Sequence, residues 1–246
     1  MTISRNAVIL LAAWVATGGA LAFMAQPPAA MTFAFVFLGW IVGLTAHEFG
    51  HAFVAWQAGD HTVADKGYLS LDPLRYADPL TSIALPALIL VIGGIAFPGG
   101  AVYLRPDLMR GPAWRAAASL AGPAGTLVVL LALALLLALG DAMAATSALW
   151  PALAVLALFQ AMALILNLLP VPGLDGYGAL RSFLPEGLER RLRPIEPLAM
   201  FGLLALLILV PGVFDAIFRG AVTIVRGLGV RGDLMLEGWN AFRFWD

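Results

Sequence analysis

Long uncharged runs divide the chain. Apolar residues fill 6–25, 31–58, 79–98, 116–139, 149–169 and 198–218, and polar or Pro/Gly-rich breaks separate them. A helix that crosses ~30 Å of hydrocarbon needs about 20 such residues, so each run is a candidate membrane element. The runs are unequal. The first, closed by Gln26-Pro27-Pro28, is longer than the apolar part of a signal peptide and a second span follows at once, so a retained helix is expected. Residues 116–139 end in almost unbroken Leu, Ala and Val and predict a full crossing. Residues 79–98 carry Pro86 and Gly93-Gly94 and stop at Pro98-Gly99-Gly100, which predicts a re-entrant or kinked element.

Between the runs, Gly67 to Leu71 and Ala101 to Leu104 read as short extended strands, ended by Asp72-Pro73 and Arg105-Pro106. After Arg219 the tail spaces Arg226, Arg231 and Arg243 among Leu, Val, Trp239 and Trp245, as an interfacial amphipathic segment does. No loop is long enough for an extra soluble domain. The pattern predicts an all-α polytopic membrane protein with about five transmembrane helices, one re-entrant segment and short β-strand elements in loops. Residues 1–218 form one domain with a core at about 35–184, and 219–246 form the tail.

Composition agrees. The 246 residues are 61% hydrophobic and 12% charged, where an average soluble domain is about 25% charged. The expected surroundings are therefore a lipid bilayer. A net charge of -1 leaves no basic field for nucleic acid. The absence of cysteine excludes disulfides, thiolate zinc sites, iron–sulfur clusters and a cysteine nucleophile.

Against this background the polar residues of 31–58 stand out. His47-Glu48-Phe49-Gly50-His51 is an H-E-x-x-H motif inside an apolar helix. Positions i and i+4 share a helix face, so both imidazoles can reach one Zn²⁺, and Glu48 can take a proton from the activated water. Ionisable groups in hydrocarbon are costly enough that a metal site outweighs a structural polar knot. Zinc catalysis needs a third protein ligand. The candidate is Asp175, beyond the fifth run, where Pro170, Pro172, Gly173 and Gly176 unwind the helix around it. His61, just past Gly59-Asp60, reads as a solvated loop residue.

His47-Glu48-Phe49-Gly50-His51 together with the N-x-x-P-x-P-x-x-D-G pattern from Asn167 to Gly176 resembles the site-2 proteases, the intramembrane zinc metalloproteases. The stretch from Gly67 to Pro79 is similar to their short bacterial branch without PDZ or CBS domains. Ala121-Gly122-Pro123 is similar to the family's small-residue helix start, although Thr126 stands where that motif usually has Asn. The resemblance implies one Zn²⁺ per chain on His47, His51 and Asp175, with Glu48 as general base. It implies that Asn167 hydrogen-bonds the substrate carbonyl or its oxyanion, and that the substrate is a transmembrane protein or peptide. The competing reading is a catalytically silent membrane scaffold of the same fold. Against it stands Glu48, which a silent relative has no need to keep.

Ligands of one ion must approach it from one membrane side, so an even number of crossings separates His51 from Asp175. Three runs lie between them, and 79–98 is the weakest helix, so it is expected to return on the side it entered. Arg75, Arg105, Arg110, Arg115, Arg181, Arg190, Arg191 and Arg193 then flank one face. By the positive-inside rule that face is cytoplasmic, in a bacterial cytoplasmic membrane, with the active site opening inward.

Overall fold

A computed structural model of the protein describes residues 3–76, 102–143 and 146–245. The first helix, α1 (Arg5–Phe23), starts where the Ser4 hydroxyl accepts the Ala7 N–H at 3.0 Å. The second, α2 (Ala30–Ala58), is ~43 Å long at 1.5 Å per residue and carries the H-E-x-x-H motif in its second half. Gly59 stops it in the left-handed region, at φ +117, and donates its N–H to the Trp56 carbonyl at 3.2 Å. Two one-turn helices follow, α3 (Thr62–Asp65) and α4 (Pro73–Tyr76). Then come α5 (Pro112–Ala142), opened by a proline whose missing N–H is of no consequence at that position, and α6 (Leu149–Leu168).

Close contacts between small residues fix the helix directions. A side chain on Gly50 would strike Ala121 and one on Gly125 would strike Ala46, so α5 runs antiparallel to α2. Gly39 meets Leu156 and Gly43 meets Gln160, so α6 runs parallel to α2. The Ser4 N–H donates to Ser70 at 3.0 Å while Trp14 stacks on Phe35 at 5.4 Å, so α1 is antiparallel to α2. One end of the bundle therefore gathers the starts of α1 and α5 and the ends of α2 and α6. Without a hydrophobic drive between helices in lipid, such small-residue contacts are what bring the backbones together.

The central helix is α6, buried on all sides from Pro151 to Met162. The outer faces are apolar as well: Val8, Val15, Val128, Leu131, Leu135 and Leu139 are all exposed. A surface of that kind belongs in lipid. Among the described residues four helices, α1, α2, α5 and α6, are by themselves long and apolar enough to cross, and the chain is an integral membrane protein.

After two short helices, α7 (Asp175–Arg181) and α8 (Glu186–Leu192), the span expected over 198–218 is built from two helices, α9 (Glu196–Leu209) and α10 (Pro211–Gly227), whose axes from Phe201 to Leu209 and from Gly212 to Gly227 meet at 90°, so that the bent pair is a fifth candidate span. Pro211 explains the break, because its ring disfavours helical backbone at Val210, which stands at φ -119 and ψ 87. Residues beyond Arg219 belong to α10 and to α11 (Gly232–Phe242), and α11 lies against α6 with Met235, Gly238 and Phe242 buried.

The expected strands are corrected. Among the described residues there is no strand. Residues 67–71 form turns, with Gly67 at φ +77, Leu71 at φ +52 and the Ser70 N–H donating to Gly67 at 3.2 Å. Val102 to Leu104 is irregular and is held by side chains instead of a partner strand. The re-entrant element expected at 79–98 lies outside the described residues. Tyr76 and Val102, on either side of it, both pack against the cluster at the C-terminal end of α2.

Candidate metal centre

His47 and His51 occupy successive turns of α2 on the face toward α5, their rings 4.7 Å apart and nearly perpendicular at 81°. Both are buried within the bundle. Each ring is held from behind by α5. The Nδ1 of His51 is 2.7 Å from the Ala118 carbonyl oxygen, and the Nδ1 of His47 is 2.9 Å from the Thr126 hydroxyl. A carbonyl only accepts, so Nδ1 of His51 is the donor there, and the neutral ring presents its lone pair at Nε2.

Asp175 faces these nitrogens. It opens α7 (Asp175–Arg181) after a six-residue exit from α6, so it stands at a helix start and not in the unwound stretch itself. Gly173, at φ +98, turns the chain back, and Gly176 has no room for a side chain against the Leu168 carbonyl. The carboxylate arrives with Oδ2 at 3.1 Å from Nε2 of His47 and Oδ1 at 3.2 Å from Nε2 of His51. The two Nε2 atoms are 3.1 Å apart, and one ligand atom from each residue lies within 4.8 Å of the others.

The chemistry of this donor set fits a cation. With both rings neutral, their lone pairs would face carboxylate oxygens, a repulsion that a cation between them removes, and Oδ2 of Asp175 is buried without a hydrogen-bond partner. Two imidazole nitrogens and one carboxylate oxygen form a three-ligand zinc set that leaves a fourth position free. Gly122 keeps the space in front of the nitrogens open. A Cβ there would lie 2.6 Å from Nε2 of His47 and closer still to Nε2 of His51.

Glu48 is 3% exposed, and its Oε2 accepts the Val102 backbone N–H at 3.1 Å. That donor is presented by a strap, residues 102–110, tied to the end of α2. Asp60, 0% exposed, accepts the Arg105 N–H at 2.7 Å and the Thr62 hydroxyl at 2.6 Å. The Arg110 N–H donates to Ala58 at 3.0 Å, and Lys66 Nζ donates to the Tyr103 carbonyl at 2.7 Å. Beside it the buried Tyr76 hydroxyl donates to the Tyr68 carbonyl at 2.6 Å. Burial, with the carboxylates of Glu48 and Asp72 nearby, pushes that phenol above its ordinary value and keeps it a donor.

Asn167 is buried on the last turn of α6, at the start of the exit that leads to Asp175. His61 is exposed at the surface next to Trp56. Sequence reasoning missed three contributors: the Val102 N–H, the Ala118 carbonyl and Asp60. The first two are backbone groups, which no residue type announces. Asp60 had a signal, an acid directly after a helix-ending glycine in a chain poor in charge.

Similarity to known proteins follows the site. The chain is 42% identical over 243 residues to a protein of Mycolicibacterium smegmatis provisionally named zinc metalloprotease Rip2, covering 96% of this chain and 92% of that one. It is 46% identical over 244 residues to the protein of the same provisional name from Mycobacterium tuberculosis H37Rv, covering 94% and 90%. A provisionally named zinc metalloprotease of Bacillus subtilis, YwhC, is 31% identical over 178 residues, 69% of this chain and 76% of that one. Neither a family profile nor a solved structure matches the chain.

Proposed function

Because the chain belongs to the site-2 protease family of zinc metalloproteases, we propose that it hydrolyses peptide bonds within or near the transmembrane segments of membrane proteins. The observation that carries this reading is the convergence of two imidazole Nε2 atoms and an unpartnered carboxylate oxygen beside a buried glutamate, inside an apolar bundle. His47, His51 and Asp175 would hold one zinc ion. When bound, zinc supplies Lewis-acid polarisation of a carbonyl and acidifies water toward a pKa of ~7.

The protein's own groups do the rest. Glu48 takes the proton of the attacking water and delivers it to the leaving amine, and the Val102 N–H holds its carboxylate in place. Asn167 donates its amide hydrogen to the substrate carbonyl oxygen as negative charge develops there. Burial of His47, Glu48 and His51 keeps bulk water from competing for those hydrogen bonds. A transmembrane substrate must unwind locally to expose its backbone to this centre.

Orientation follows from charge. Arg5, Lys66, Arg75, Arg105, Arg110, Arg115 and Arg181 belong to segments at the bundle end where α2 and α6 finish. The positive-inside rule makes that end cytoplasmic, so the centre opens inward from a bacterial cytoplasmic membrane.

The test compares the purified protein with Glu48→Gln and His51→Ala on a transmembrane peptide in detergent. Glu48→Gln should keep its zinc and lose cleavage by several orders of magnitude, whereas His51→Ala should lose the zinc itself. Near-normal cleavage by Glu48→Gln would remove that residue from the mechanism.

A further inference from the structure

Helices α9 and α10 carry the chain from the metal end of the bundle to the opposite end. Glu196, which opens α9, pairs with Arg181 of α7 at 3.0 Å, and Arg231, just after α10, pairs with Asp141 on the last turn of α5 at 3.0 Å. Between these anchors α10 lies along the central helix α6. Ile217, Ala221 and Val225 are buried on its inner face, and a Cβ on Gly220 would lie 3.2 Å from Ile165. Since Gly43 meets Gln160 and α6 runs parallel to α2, Ile165 stands near the depth of His47 and Glu48. His47 is ~16 Å from the end of α2 at 1.5 Å per residue, so that depth is inside the hydrocarbon.

The outer face of α10 is not one that lipid accepts. Asp215 and Arg219 are exposed there one turn apart, with Gly212, Ala216 and Thr223 beside them. Thr223 satisfies its hydroxyl within the helix, donating to the Arg219 carbonyl at 2.8 Å. Neither Asp215 nor Arg219 forms an ion pair among the described residues, and they do not pair with each other. The outer face of α5, by contrast, carries Val128, Leu131 and Leu135. Charged residues at such depth pair with one another or line a polar cavity, because hydrocarbon solvates neither sign.

We propose that this face of α10 is the contact through which two copies of the chain associate side by side in the membrane. Copies in one membrane share an orientation, so a two-fold axis along the bilayer normal sets α10 parallel to the partner's α10. Residues of equal depth then face each other. A helical side chain leans toward the helix N-terminus, so the guanidinium of Arg219 reaches back about one turn, to the depth of Asp215. Each Arg219 meets the partner's Asp215, and symmetry makes the pair twice, which balances all four charges. Gly212 and Ala216 let the backbones approach, since a Cβ on Gly212 meets nothing within 4 Å. The face carries one acid and one base at a spacing of four residues, so it complements a second copy of itself. An anionic lipid headgroup would answer Arg219 and repel Asp215.

The test uses the full chain, first in isolated membranes. The protein has no cysteine, so Ala216→Cys should give a disulfide-linked dimer under mild oxidation, and Leu131→Cys on α5 should not. Association of the purified protein is then measured by sedimentation in detergent. Asp215→Arg alone, or Arg219→Asp alone, sets like charges together and should weaken association by about tenfold or more. Combining the two exchanges the charges and should restore association to within about threefold of the parent, because the effects of paired residues do not add. Zinc content should stay the same throughout, which separates lost association from lost fold. Where a charge variant fails to fold, the cysteine result decides by itself. The proposal is overturned if Ala216→Cys dimerises no more readily than Leu131→Cys, or if the combined variant associates as weakly as the single ones. Cross-linking of Ala216→Cys only to a different protein would assign the face to a foreign partner, and its rapid labelling by a membrane-impermeant maleimide would place the face in water. Either result also overturns the proposal. None of these readouts depends on cleavage, so the protease reading stands or falls separately.

Discussion

The Nδ1 of His47 lies 2.9 Å from the hydroxyl oxygen of Thr126, a residue 79 positions away on the antiparallel neighbour α5. An imidazole that binds metal through Nε2 must hold its proton on Nδ1 and point in one direction, and an acceptor placed behind the ring achieves both. Thr126 supplies that acceptor where the family pattern usually has Asn.

Thr126→Val should therefore weaken zinc binding about 10- to 100-fold with little change in fold, because valine keeps the shape and removes the acceptor. Thr126→Ser should stay close to the parent. Zinc affinity measured against a competing chelator decides the matter, and equal affinity in the Val and Ser variants would show that the hydroxyl does not orient the ring.

Gly122→Ala acts on the other side of the same nitrogens. Its methyl would fall within 2.6 Å of Nε2 of His47, in the space the ion needs. Alanine is the better helix former by ~1 kcal/mol, so the variant should fold and yet purify with little zinc. Full zinc occupancy in that variant would mean that the ion sits elsewhere.

Asp60 is far from the reacting atoms but controls a donor to Glu48. Removing its buried carboxylate in Asp60→Ala leaves the Arg105 and Thr62 N–H groups unpaired, at about 1–3 kcal/mol each where they stay buried. The strap should loosen before the bundle does. Amide hydrogen exchange over 102–110 should accelerate in Asp60→Ala while α5 and α6 keep their protection, and an unchanged strap would assign its anchoring to Lys66 and Arg110 instead.

Topology can be read with the native background free of cysteine. Asp65 and Asp107 are both exposed at the bundle end where α2 finishes, and Thr146 is exposed at the opposite end, between α5 and α6. Cysteines at Asp65 and Asp107 should label from one side of the membrane and a cysteine at Thr146 from the other. Labelling of the first two from opposite sides would break the shared orientation on which the assembled centre depends.

Local chemistry was legible along the chain. Four spans follow from runs of apolar residues, because a bilayer penalises any other solution, and the pairing of His47 with His51 follows from helix periodicity alone. Asp175 could be picked out as the candidate third ligand because the H-E-x-x-H motif calls for one and prolines and glycines end a helix just ahead of it. Tertiary structure decided what no short stretch could. The turns at 67–71 replaced strands because backbone N–H groups there found carbonyls within the same loop, and the bend at Pro211 set two helices at 90° within one apolar run. The carbonyl of Ala118 behind His51 and the N–H of Val102 on Glu48 both arise from contacts between distant segments. A hydrogen bond requires only that two groups meet at the right distance and angle, and backbone groups are the same in every residue, so the sequence carries no mark of which ones the fold will bring together.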